Sequence, residues 1–159
     1  MTKNFRIVGL PLTEFEPLFS LSDEQLAHKG ARRMQVNAKP GFPCRVMLSE
    51  AEIGETVILL PFVHHDVASP YRASGPIFVR ESAKETQLAT NEIPDIVLTR
   101  TMSVRAYDSA GMMLDSEVVP GRELTSHMEK LFANSKVSYV HLHNAGAGCY
   151  SCKVERAND

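Results

Sequence analysis

Two histidines and a cysteine lie close together in residues 137–154, where apolar and polar side chains alternate on both sides of a glycine-rich loop. Alternation of this kind is typical of strands, so the segment predicts a β-hairpin closed by residues 144–148. His141 and His143 then share one strand face, and a loop of that length places His143 opposite Cys149. An imidazole beside a thiol can accept its proton. The pattern therefore permits an enzyme in which Cys149 is the nucleophile and His143 or His141 is the base.

A second cysteine three positions further on forms a C-x-x-C sequence, which is found in redox and zinc sites. In an extended strand, however, Cys149 and Cys152 point to opposite faces, whereas paired thiols converge where the backbone turns. We therefore interpret Cys152 as a small core residue, the usual place of a free cysteine.

The histidines also permit a metal site. His141 and His143 offer a pair of ligands on one strand face, and a third ligand could come from Cys149, His64 or His65. Because His64 and His65 are neighbours in a strand, only one of them is expected to face a given pocket. No glutamate follows at the spacing of the cupin pattern. The sequence by itself thus assigns no metal ligand and no cofactor, and metal binding is an alternative.

A loop rich in polar donors follows the most apolar run of the chain. It carries Tyr71 and Arg72, with His65 just before it and Arg80 on the strand after it. Together with Asn144 of the glycine-rich loop, these side chains suit a carboxylate or phosphate group. The alternative is a solvated loop whose arginine pairs with a surface carboxylate.

Length and charge limit the classes of function. The chain has 159 residues and a formal net charge of −2, which predicts a single domain over residues 1–159. Its charges are interspersed, so we expect neither nucleic acid nor a membrane as a partner. Three cysteines, an odd number, and an N-terminus without a signal-like apolar stretch predict a soluble cytoplasmic protein.

The elements that must position these side chains are mostly strands. Strands are predicted near residues 5–10, 32–38, 44–48, 56–63, 76–82, 102–107 and 112–119, and helices near 22–30, 94–98 and 122–133. The second and third strands are expected to pair as a hairpin. Residues 56–63 are apolar on both faces, which predicts a central strand in which Pro61 marks a bulge or a change of pairing. The pattern indicates an α+β fold, a single domain with a largely antiparallel sheet of hairpins and two or three short helices.

Five segments of the chain are informative together. They are residues 5–11, 40–46, 69–80, 105–113 and 143–150. This set resembles a bacterial family known as domain of unknown function 1203, and the likeness extends over nearly the whole chain. It implies a small intracellular bacterial protein with no established activity, so no functional residue is carried over. The position of Cys149 matches the family's C-terminal pattern, and Cys152 departs from it.

Three hypotheses of function follow. We place first a binding or interaction role for a small anionic ligand, because a histidine–cysteine pair also arises without function. The alternatives are a cysteine-dependent enzyme that uses Cys149, and a metal-binding protein with His141, His143 and Cys149 as ligands. The sequence indicates no oligomeric state.

Overall fold

The computed structural model describes residues 4–158, in which ten strands form two five-stranded sheets and three α-helices pack against them. The strands are β1 (Phe5–Val8), β2 (Arg32–Gln35), β3 (Pro43–Cys44), β4 (Ser49–Glu50), β5 (Thr56–His65), β6 (Ala73–Arg80), β7 (Thr101–Tyr107), β8 (Met113–Pro120), β9 (Tyr139–Asn144) and β10 (Tyr150–Arg156). The helices are α1 (Asp23–His28), α2 (Asp95–Leu98) and α3 (Leu124–Phe132). The predicted α+β class is confirmed.

The two sheets differ in how their strands pair. The first sheet has the order β1–β10–β9–β7–β8 and is antiparallel throughout. The second has the order β2–β5–β6–β3–β4, and β3 runs parallel to β6 within it. The predicted hairpins therefore build two largely antiparallel sheets, and the polar side chains at issue lie where one sheet meets the other.

One face of the first sheet packs against α3. The apolar cluster on this face includes Val104, Val140, Leu142, Met128 and Phe132. Because side chains alternate along β9, the opposite face of that strand carries His141 and His143. These two residues are buried as well, so both faces of β9 are covered and the histidines lie inside the protein.

The central strand predicted at residues 56–63 is β5. It pairs with β2 over residues 56–59 and continues beside β6 as far as His65. The pairing with β2 ends just before Pro61, which has no N–H to donate to a ladder. The prediction that Pro61 marks a change of pairing is confirmed.

The predicted hairpin between residues 32–38 and 44–48 is wrong. β2 pairs with β5, whereas β3 pairs with β4 and β6. Residues 45–48 form a turn instead of a strand, closed by a hydrogen bond from the amide of Leu48 to the carbonyl of Cys44. Alternation identified the strand β2 correctly, but it contains no information about which partner that strand takes.

Local signals at helix ends and turns are confirmed. Ser22 accepts a hydrogen bond from the Gln25 amide, and the Gln25 side chain accepts one from the Ser22 amide, which is a capping box at the start of α1. Gly30 ends this segment with a φ of 73°. The turn between β7 and β8 closes through a bond from the Gly111 amide to the Asp108 carbonyl.

The last hairpin, β9–β10, forms as predicted but with a different register. Tyr150 lies opposite His143, so the predicted pairing of Cys149 with His143 is wrong. The pairing shifts between Tyr150 and Cys152, where a bulge inserts one residue. Cys152 is buried in the apolar cluster beneath α3, as predicted for a core cysteine, and burial raises the pKa of its thiol to about 12.

No helix within residues 4–158 has the length and apolar character needed to cross a membrane.

Candidate functional site

Three histidine side chains meet where the end of β5 packs against β9. We call His64, His141 and His143 the histidine cluster; one ring nitrogen of each lies within 4.8 Å of the others. His141 and His143 are 4% and 1% exposed, and His64 is half-buried. Nitrogens around a tetrahedral zinc ion are roughly 3.3 Å apart, given Zn–N bonds of about 2.0–2.1 Å. The separations in the cluster therefore exceed the metal-bound value by no more than about 1.5 Å.

Each ring of the histidine cluster contains a buried nitrogen without a hydrogen-bond partner among residues 4–158. These atoms are Nδ1 of His64, Nδ1 of His141 and Nε2 of His143. Buried polar atoms in native proteins almost always have a partner, so three orphaned nitrogens in one place require an explanation. A cation that accepts all three lone pairs provides one.

The tautomer of His143 is determined by a hydrogen bond to the backbone of Gly148. Its Nδ1 lies 2.9 Å from the carbonyl oxygen of Gly148. A carbonyl only accepts hydrogen bonds, so Nδ1 carries the proton and Nε2 presents a lone pair to the cluster. Metal-bound histidines are commonly oriented by a backbone carbonyl in this way.

Burial keeps the three imidazoles neutral. It lowers the pKa of His141 to about 2 and the pKa values of His64 and His143 to about 4. The positive charge of Arg105, which lies opposite His141 on β7, adds to the lowering for His64 and His143. Neutral imidazole is the form that binds metal ions.

Tyr150 forms a wall of the histidine cluster. Its ring stacks on His64 at 5.3 Å between centroids and 7° between planes. It also makes edge contacts with His141 at 5.1 Å and His143 at 5.7 Å. Tyr150 is 3% exposed, so it shields the cluster from solvent on that side.

His65 lies beside the histidine cluster but has partners for both ring nitrogens. Nδ1 is 2.8 Å from the carbonyl oxygen of Tyr71, and Nε2 is 2.6 Å from the Tyr139 hydroxyl. Of the two neighbours, only His64 belongs to the histidine cluster, although the rings of both lie near His141. The irregular pairing of β5 with β6 between Phe62 and His65 breaks the strand alternation.

Cys149 lies apart from the histidine cluster. Its sulfur accepts hydrogen bonds from Nη2 of Arg45 at 3.4 Å and from Nδ2 of Asn144 at 3.3 Å. The geometry from which a pair with His143 was inferred is not found, because Tyr150 occupies the opposite position. The role of Cys149 as a nucleophile with His143 or His141 as base stays a prediction.

Arg45, to which sequence reasoning assigned no role, is the buried cation of this region. It is 2% exposed and donates from Nε to the Tyr150 carbonyl at 2.8 Å and from Nη1 to the Pro43 carbonyl at 2.6 Å. Burial lowers the pKa of its guanidinium. The sequence contained one signal of this buried charge: Arg45 lies between the apolar residues Cys44 and Val46. Arginine is rarely fully buried unless it is paired, so an arginine in an apolar stretch calls for attention.

The other predicted ligand-binding residues are dispersed, and their ligand-binding role stays a prediction. Arg80 donates two hydrogen bonds to Glu55, at 2.9 and 2.6 Å, in the second sheet. Arg72 pairs at 3.1 Å with Asp66 on the exposed loop, and both side chains are more than half exposed. Tyr71 on the same loop is 38% exposed. Arg80 and Arg72 thus each pair with a carboxylate of the protein.

Comparison with known proteins identifies a family whose description assigns no activity. Residues 41–156 match the model of a family described as protein of unknown function (DUF1203), which is more than half of the chain. The first of the resembling segments, residues 5–11, lies outside this match. No curated protein matches the chain, and no solved structure does.

Proposed function

Because the chain belongs to the DUF1203 family, whose description assigns no activity, we propose from the site geometry that it is a metal-binding protein with His64, His141 and His143 as ligands. Two observations carry this proposal. One ring nitrogen of each histidine lies within 4.8 Å of the others. Each of the three rings also contains a buried nitrogen without a hydrogen-bond partner among residues 4–158. This ligand set shares His141 and His143 with the metal alternative that was drawn from the sequence. It has His64 in place of Cys149.

The donor set indicates the class of metal. Three neutral imidazoles suit Zn²⁺ and its neighbours in the first transition series, whereas Mg²⁺ and Ca²⁺ prefer oxygen ligands. No carboxylate or thiolate joins the histidine cluster within residues 4–158. A bound divalent ion would therefore keep its full positive charge.

Three protein ligands leave a coordination position for another group. This is the arrangement of catalytic zinc sites, whereas structural zinc sites use four protein ligands. His64 also lines a cavity of about 480 Å³. A small molecule in that cavity can therefore reach the ligand shell from the side of His64.

Metal titration tests the proposal. Purified protein is treated with a chelator and dialysed, and Zn²⁺ is then titrated against a chromophoric competitor. We expect one equivalent to bind with a Kd below ~1 µM. Replacing His64, His141 or His143 by Ala should weaken binding more than ~100-fold, since loss of a group that only hydrogen-bonds to a metal ligand already costs about 10–100-fold.

The control is His28→Ala, which removes an exposed histidine at the end of α1 and should leave Zn²⁺ affinity unchanged. Co²⁺ provides a spectroscopic check, because its visible absorption reports coordination number. The proposal is overturned if one equivalent still binds after all three cluster histidines are replaced. It is also overturned if the wild-type protein binds Zn²⁺ no more tightly than ~10 µM.

A further inference from the structure

A buried guanidinium without a carboxylate lies next to the histidine cluster. Within residues 4–158, Arg45 forms no ion pair with Asp or Glu, although it is 2% exposed. Its three hydrogen bonds go to two carbonyls and to the Cys149 sulfur. Arginine has five N–H donors, so two remain unused. A buried charge is costly unless it is paired, and Arg45 is among the residues that line two cavities.

Two cavities meet at Arg45 and Cys149. One measures about 480 Å³ and includes His64, and the other measures about 440 Å³ and includes Asn144 and Arg100. Neither is lined by an Asp or a Glu residue. A joint pocket that contains two arginines and no acidic side chain has the electrostatic character of an anion site.

Arg100 is already neutralised, which leaves Arg45 as the anchor. Arg100 forms an ion pair with Glu50 and also donates to the Ile96 carbonyl at 3.0 Å. Glu50 in turn accepts hydrogen bonds from the amides of Gly41 and Phe42. The charge that an incoming anion would meet is therefore that of Arg45.

The remaining walls favour an organic ligand. Leu59, Pro76 and Phe78 line the larger cavity. At Gly146 and Gly148 a Cβ atom would meet nothing within 4 Å, so the glycine loop leaves open space beside its backbone. A carboxylate with a short hydrocarbon part matches both the guanidinium and the apolar wall.

We propose that the joint pocket binds a small organic carboxylate, with its oxygens on Arg45 and its apolar part against Leu59, Pro76 and Phe78. This inference goes beyond the proposed metal function and does not depend on it. Because His64 lines the same cavity, a ligand held by Arg45 lies beside the metal position. The test is made on chelator-treated protein, so its outcome is separate from that of the metal titration.

Cys149 provides a reporter at the proposed carboxylate position. Iodoacetate is a small carboxylate that alkylates a thiol with loss of iodide, and iodoacetamide is its neutral counterpart. Alkylation of Cys149 by each reagent is followed by peptide mass spectrometry, in the folded protein and in the urea-unfolded chain. If Arg45 recruits carboxylates, the ratio of the iodoacetate rate to the iodoacetamide rate should be about tenfold higher in the folded protein. Propionate should reduce the iodoacetate rate in a saturable manner.

Variants separate the guanidinium from general charge. Arg45→Gln should abolish the rise in this ratio, and Arg45→Lys should retain only part of it, because lysine lacks the forked donors. Arg72→Gln is the matched control, since it removes an exposed arginine and should leave the ratio unchanged. Circular dichroism checks that each variant is folded.

Three results would overturn the proposal. One is a rate ratio in the folded wild-type protein equal to that of the unfolded chain. Another is suppression of the iodoacetate rate by inorganic phosphate, at equal ionic strength, as strong as that by propionate. If Cys149 reacts with neither reagent, titration calorimetry with propionate decides, and a Kd weaker than ~10 mM overturns the proposal.

Discussion

Tyr150 lies directly opposite His143 in the pairing of β9 with β10, in the position that the length of the hairpin loop would give to Cys149. An aromatic ring thus covers the histidine cluster, and the thiol is turned toward Arg45. This exchange separates two groups that the sequence placed together: the ring of His143 faces Tyr150, and the thiol of Cys149 faces the guanidinium of Arg45.

The first prediction concerns the thiol. Cys149→Ser should change the affinity for Zn²⁺ by no more than about twofold, because the sulfur is bonded to Arg45 and Asn144 and substitutions at sites without shared contacts act independently. Competition with a chromophoric chelator measures the affinity. A loss as large as that of His143→Ala would instead support the ligand set His141, His143 and Cys149.

The second prediction is a loss of stability in the metal-free protein as the pH falls. The folded-state pKa values of His64, His141 and His143 lie well below the ordinary value of 6.5. Below pH 6.5 the unfolded chain therefore takes up protons that the folded chain does not accept. Each histidine should remove about 1.4 kcal/mol of stability per pH unit between its two pKa values. For His64 and His143 this window runs from about 6.5 down to about 4.

Urea unfolding at pH 7, 6.5, 6 and 5.5 measures this effect, in a range where ordinary carboxylates stay ionised. His141→Gln provides the comparison, since it removes one of the titrating groups and should flatten the dependence by one proton. Equal unfolding midpoints at pH 7 and 5.5 would show that the cluster accepts protons in the folded state.

The third prediction concerns a close backbone approach. A Cβ atom on Gly121 would lie 1.8 Å from the carbonyl oxygen of Val97, where the turn before α3 crosses α2. Gly121→Ala should therefore destabilise the protein by about 3 kcal/mol or more, since backbone atoms must move apart. Gly75→Ala is the control, because nothing lies within 4 Å of its added Cβ and the change should stay within about 0.5 kcal/mol. Comparable unfolding midpoints for the two variants would contradict the packing at α2.

The sequence predicted the elements better than their partners. Alternation, caps and turn residues are local signals, and they located β5, β6, α1 and the β7–β8 hairpin. The partner of β2 is the strand β5, which is not its neighbour along the chain, and periodicity contains no information about such a pairing. The same limit explains the site. His141 and His143 were recognised together because they are two apart on one strand, whereas Arg45 meets the carbonyl of Tyr150 across 105 positions.

The predicted register of β9 and β10 is wrong for a different reason. The predicted loop, residues 144–148, has the wrong bounds: the amide of Asn144 donates to the carbonyl of Cys149, so residues 145–148 lie between the paired positions. A shift of one residue exchanges the two faces of a strand. Tyr150 therefore lies in the position assigned to Cys149, and the bulge after Tyr150 shifts the pairing by one further residue. An irregularity between Phe62 and His65 likewise disturbs the alternation of β5.

The last prediction concerns the stability that Arg45 contributes. Arg45→Met should lower the free energy of unfolding by about 2–5 kcal/mol, because the carbonyls of Pro43 and Tyr150 lose their partners inside the protein. Arg72→Met, at an exposed ion pair, should cost less than about 1 kcal/mol. Urea unfolding without added carboxylate measures both. A Met variant as stable as the wild type would contradict this expectation, because the cost of burying the charge would then equal the benefit of its hydrogen bonds.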